Sequence, residues 1–84
     1  MTYKLQITRK AQKSLAGLPV ADYQRITEKI AALADDPRPA GCLKLTGREA
    51  WRIRVGKYRI IYEINDEIVT VTVVDVGHRR EIYR

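Results

Sequence analysis

Apolar and basic residues alternate through Trp51, Arg52, Ile53, Arg54 and Val55, and after Gly56 and Lys57 the alternation resumes in Tyr58, Arg59, Ile60, Ile61 and Tyr62. Two period-two runs separated by two residues, glycine first, predict a β-hairpin with a type II′ turn. With Gly56-Lys57 as the loop, Val55 faces Tyr58, Arg54 faces Arg59, Ile53 faces Ile60 and Trp51 faces Tyr62. One face of the hairpin then carries Trp51, Ile53, Val55, Tyr58, Ile60 and Tyr62, the natural core side. The other carries Arg52, Arg54 and Arg59. Like charges directly opposed on a ladder weaken it by something on the order of a few tenths of a kcal/mol. A sheet that gathers three guanidinium groups this way points to an anionic ligand.

The pattern extends in both directions from this hairpin. Residues 3–7 alternate and predict a short strand. Thr8 is the N-cap of a helix reaching Ala16, with Ala11, Leu15 and Leu18 on its apolar side and Gly17 as its stop. Pro19 suits the first turn of a second helix, and Asp22 suits its dipole. Tyr23, Ile26, Ile30 and Leu33 follow one-sided helical spacing, and Asp35-Asp36-Pro37 ends the run. The two helices form an αα-hairpin over one sheet face. Residues 38–41 read as a loop, residues 42–45 as a short strand and Thr46-Gly47 as a turn.

Asn65-Asp66 is a second hairpin turn, which pairs Ile64 with Glu67, Tyr62 with Val69 and Ile60 with Val71. Val69, Val71 and Val73 then face the core, and Thr70 and Thr72 lie beside the arginines. Residues 68–76 are the most β-rich run, a central strand closed by Gly77. The order β-α-α-β-β-β-β predicts one α+β domain over residues 1–84. Its sheet is twisted and antiparallel-rich, with the helices on one face and a basic groove on the other.

Charge narrows the partners. A net charge of +6 and a pI near 9.8 favour nucleic acid, an acidic protein or an anionic surface. Arg9, Lys10 and Lys13, early in the first helix, lean the same way. No apolar run approaches the ~20 residues of a membrane span, and the opening Met-Thr-Tyr-Lys is not a signal peptide. The single cysteine, Cys42, excludes an internal disulfide, reads as a small buried hydrophobe and fits a cytoplasmic setting. One histidine, one cysteine and scattered carboxylates supply no metal-ligand spacing, so neither a metal nor another cofactor is expected.

Trp51-Arg-x-Arg54, Gly56-x-Tyr58-Arg59-x-x-Tyr62, Gly77-His78-Arg79 and the late Tyr83 together resemble the RelE/ParE superfamily of bacterial type II toxins. Lys44-Leu45-x-Gly47 and Asp36-Pro37 match as well, and the resemblance covers nearly the whole chain. It implies a toxin neutralised by a cognate RelB-like antitoxin with an acidic C-terminal segment, in a heterotetramer or larger complex. Toxins of the RelE branch enter the ribosomal A site and cut messenger RNA; those of the ParE branch poison DNA gyrase.

Arginine, lysine, tyrosine and histidine suffice for metal-independent RNA cleavage. The substrate's 2′-hydroxyl attacks the adjacent phosphate, cations meet the developing charge, and an acid protonates the departing 5′-oxygen. The resemblance maps the scissile-phosphate contacts onto Arg59 and Arg79, with Arg52 and Arg54 beside them and Tyr83 at the tail. Arg59 is assigned transition-state stabilisation, and Arg79 phosphate binding or leaving-group electrostatics. Arg52 and Arg54 hold the RNA, and Lys44 and Arg80 add phosphate contacts. Some relatives carry lysines at positions 52 and 54; arginine does not release its proton, so the general base is sought in Tyr83 or His78, with Glu49 third. The plainer alternatives are ion pairs of Arg59 and Arg79 with Glu63, Asp75 or Glu81, and core packing for Trp51, Tyr58 and Tyr62. The expected activity is a ribosome-dependent messenger RNA endonuclease; the alternative is a gyrase poison without catalysis.

Overall fold

The computed structural model describes residues 2–47 and 49–78. Its element order is β1 (Lys4–Ile7), α1 (Arg9–Ala16), α2 (Val20–Leu33), β2 (Leu43–Lys44), β3 (Trp51–Val55), β4 (Tyr58–Asn65) and β5 (Thr70–His78), as the sequence pattern predicts. The five strands form one sheet in the order β1-β5-β4-β3-β2. Three neighbouring pairs are antiparallel, and β1 runs parallel to β5, so the sheet is mixed.

Thr8 joins the first strand to the first helix. Its N–H donates to Val73 O at 3.0 Å and its Oγ1 to Val74 O at 3.1 Å, while Oγ1 accepts from Ala11 N at 3.2 Å. One residue thus caps α1 and pins it to β5. Pro19 takes the N-cap position of α2, one place before the predicted first turn; it lacks an N–H, so nothing is forfeited there. Ile26, Ile30 and Leu33 are buried, whereas Tyr23 stays 45% exposed. At 3.6 residues per turn Tyr23 falls roughly 50° from the centre of that stripe, beyond the edge of the packed face. Ala11, Leu15, Ile53, Ile60, Tyr62, Val71, Val73 and Val76 complete the core between helices and sheet.

The β3–β4 hairpin has the predicted register in every pair, from Trp51–Tyr62 to Val55–Tyr58. Gly56 has φ +60° and Lys57 is not in the positive-φ region, the pattern of a type II′ turn. The next hairpin differs from the expectation. Asn65 Oδ1 accepts from Glu67 N at 3.0 Å and Ile68 N at 3.2 Å, which builds a four-residue loop over residues 66–69. Tyr62 therefore faces Val73 rather than Val69, four positions further on, and a register shift between Ile61 and Tyr62 pairs Ile60 with Val76. From Tyr62 to Asn65 the displacement is even and preserves faces, and the extra residue at the register shift brings Val76 to the core side opposite Ile60. Val71 and Val73 remain in the core, while Val69 moves into the turn and Gly77 lies within β5 instead of closing it.

Val69 has φ +51°, a conformation a β-branched residue adopts only under strain. Val69→Gly is expected to stabilise the fold by about 1 kcal/mol through removal of that strain, partly offset by glycine's freer unfolded chain. Denaturant unfolding would show the midpoint rising with an unchanged slope.

At the start of this turn, Asp66 accepts from Tyr3 Oη at 2.6 Å and pairs with Arg38 at 2.9 Å. Arg38 also stacks over Trp51, 5.3 Å from the ring centroid. The Arg38 hydrogen bond, reinforced by Tyr3, holds the Asp66 carboxyl below its ordinary pKa. A lowered folded pKa means stabilisation that is present above the unfolded value and lost as pH falls through the folded one. Asp66→Asn is therefore expected to lower the thermal midpoint at neutral pH. The gap from the parent chain should close in acid, as melts across a pH series would record.

Candidate functional site

The sheet face opposite the helices carries the arginines. Arg54 stands directly across from Arg59 on the β3–β4 ladder, and Gly77 faces Arg59 from β5. The next position along this face brings together Arg52 and Ile61. The shared alternation of two strands thus collects all three predicted cations on one surface.

Their burial is not that of an open basic groove. Arg54 is exposed, but Arg59 is only 4% and Arg52 only 8% exposed. A buried guanidinium is held in place by its surroundings, and both residues keep interactions within the chain. Such a group acts in a low-dielectric setting, where its field on a neighbouring anion is stronger than in water. The chemistry available is therefore two desolvated cations, Arg59 and Arg52, beside one exposed cation, Arg54, all planar forks suited to phosphate oxygens.

Two further predicted residues are placed elsewhere. Lys44 faces Trp51, so it sits on the helix side at the sheet edge, and its Nζ lies 3.5 Å from Glu49. His78 faces Tyr58, also on the helix side, with the two rings edge to face at 5.9 Å. It borders a recess of about 330 Å³ with Ser14, Leu18 and Val76. Tyr58 Oη donates to Asp22 Oδ2 at 3.1 Å, and Asp22 also pairs with Arg25, whose guanidinium lies against Gly56. The register thus separates Lys44 and His78 from the arginine rows. Arg79, Arg80 and Tyr83 lie outside the described residues.

Asp75 pairs with Lys10 at 3.3 Å, and Glu63 forms no ion pair with a described residue. Trp51 and Tyr58 pack against the core, and Tyr62 is fully buried with its hydroxyl donating to Pro37 O at 2.8 Å. Burial pushes the Tyr62 phenol well above its ordinary pKa, so it remains a neutral donor. Cys42 is half-buried. Among the described residues no group of three or more His, Cys, Asp or Glu is placed to hold a metal ion. The contacts made by Asp66 and Asp22 span 63 and 36 residues of sequence, and no local pattern marks them.

Comparison with known proteins places this geometry. Residues 5–83 match the family described as the ParE toxin of type II toxin–antitoxin systems. Toxin RelG of Mycobacterium tuberculosis is 34% identical over 88 aligned positions, which cover 100% of this chain and 99% of RelG. The toxin–antitoxin complex RelBE2 of M. tuberculosis contains a chain of similar structure, with TM-score 0.84 and 28% identity over 94% of this chain and 100% of that one. The archaeal RelE–RelB complex of Pyrococcus horikoshii gives TM-score 0.84 and 32% identity, over 94% and 97% of the two chains.

Proposed function

Since the chain belongs to the ParE toxin family of type II toxin–antitoxin systems, we propose that it is a toxin of RelE type: a ribosome-dependent, metal-independent messenger RNA endonuclease. Its partner is a cognate RelB-like antitoxin, as the complexes of its structural relatives support. Its acidic C-terminal segment covers the arginine face or displaces the tail, in a heterotetramer or larger assembly. The working compartment is the cytoplasm, where translating ribosomes are.

The observation that carries this reading is the opposed pair of Arg59, desolvated in the sheet, and Arg54, exposed on the adjacent strand. In the reaction the 2′-oxygen forms a bond to phosphorus as the 5′-oxygen leaves. One proton passes to a base and another reaches the leaving oxygen. Arg59 faces the charge that grows on the phosphate, and its fixed position requires no reorganisation during the step. Arg54 and Arg52 hold the flanking strand, with Arg79 on the phosphate or leaving group and Arg80 as an outer contact; Lys44, on the helix side of the sheet, takes no part. Arginine cannot serve as the base. The helix-side position of His78 favours Tyr83 for proton transfer at the arginine row.

A second reading is a gyrase poison, favoured by the ParE family match and by the burial of Arg59 and Arg52, which suits guanidinium groups that only stabilise the sheet. Parallel assays separate the two. The endonuclease reading expects message cleavage in a translating extract and normal supercoiling by purified gyrase; the reverse pattern supports the second reading.

A further inference from the structure

The helix-free face changes character along β4. Arg59 and Ile61 occupy one half of it, Glu63 and Asn65 the other, on the period-two repeat of a strand. At the second end the register lines up Glu63, Thr72 and Gln6 across three strands. These residues, with Glu49 and Ile68, border a recess of about 280 Å³ on the face that carries the arginines.

The recess combines an acceptor, a donor and an apolar surface. Glu63 is exposed, and its carboxylate makes no ion pair or side-chain hydrogen bond with any described residue, although Arg52 stands one step away along the face. Thr72 Oγ1 lies 3.4 Å from Gln6 Oε1, which leaves the Gln6 amide N–H₂ for an incoming acceptor. Ile68 is 63% exposed at the margin.

A carboxylate on a phosphate-binding face repels the backbone of a nucleic acid. It is compatible with RNA where it meets hydrogen-bond donors instead, and the edges of unstacked bases supply them. Guanine presents two adjacent donors, N1–H and N2–H₂, that match the two oxygens of one carboxylate; the other bases present one to this acceptor. Glu63 lies about 13 Å along the strand from Arg59, within one or two nucleotides of a phosphate held there.

We propose that this recess reads a nucleobase beside the cleaved bond, with Glu63 as a specificity-determining residue and guanine as the favoured base. The proposal rests on the endonuclease reading. It is tested by mapping cuts on a randomised message pool in a translating extract, using the parent chain, Glu63→Gln and Glu63→Ala. Because Glu63 is exposed, both variants are expected to fold, which circular dichroism and a melt would verify. The parent should enrich guanine at one fixed position within two nucleotides of the cut. Both variants should weaken that preference by about fivefold or more, the range of one lost bidentate base contact, while total cleavage falls less. An unchanged preference, or an equal loss at every sequence, overturns the proposal and leaves the endonuclease standing. So does weakened antitoxin binding with an unchanged map, which would assign the recess to a peptide. A parent chain that cuts nothing overturns both readings together.

Discussion

Arg59→Lys is expected to lower message cleavage by about 10²-fold or more while the chain still folds and binds its antitoxin. The substitution retains the charge and removes the planar fork. At a position only 4% exposed, lysine's single ammonium cannot reproduce two parallel bonds to phosphate oxygens held in fixed geometry. Arg54→Lys provides the internal comparison. Arg54 is exposed on the adjacent strand, where a flexible point charge still attracts the RNA backbone, so its loss should stay under about tenfold. Initial rates of 5′-end formation, measured for both variants against the parent, would reveal the contrast. Equal small losses would make Arg59 a structural guanidinium and favour the gyrase reading.

Ile60→Ala carries the largest expected effect on stability. Ile60 is fully buried in the central strand β4, between Ile53 on β3 and Val76 on β5, and lies one residue from Arg59. Truncation removes transfer free energy and leaves a cavity that a sheet cannot collapse around, at a cost of about 2–5 kcal/mol. A chain of this length has on the order of 4–13 kcal/mol in total. Urea unfolding should therefore show a midpoint reduced by about a sixth at the least, and by far more if the total lies at the low end of that range. Activity per folded molecule should fall as well, because the same strand sets the position of Arg59.

Local alternation made the arginine face legible. The run from Trp51 to Tyr62 contains both strands, the turn and the opposed arginines, and its register follows from parity and one glycine. The following turn departs from the sequence expectation for a physical reason. Asn65 uses its side chain to cap two backbone N–H groups and lengthen the loop, and period two cannot distinguish registers that differ by an even step. Burial of Arg59 and Arg52 was not legible either, because alternation assigns a face and says nothing of how deeply that face is covered. His78 was read by its chemistry alone. Its side of the sheet depends on the register shift between Ile61 and Tyr62, which has no signature in composition or spacing. The Asp66–Arg38–Tyr3 and Asp22–Tyr58 contacts join distant segments and became visible only in three dimensions.

Ribosome-dependent cleavage is decided by 5′-end mapping of a defined message in a translating extract. New ends inside codons are expected to appear on addition of the protein, to vanish when initiation is blocked and to vanish again when the antitoxin is supplied. A message that stays intact while translation proceeds would contradict it, and new ends that persist with initiation blocked would contradict the dependence on ribosomes.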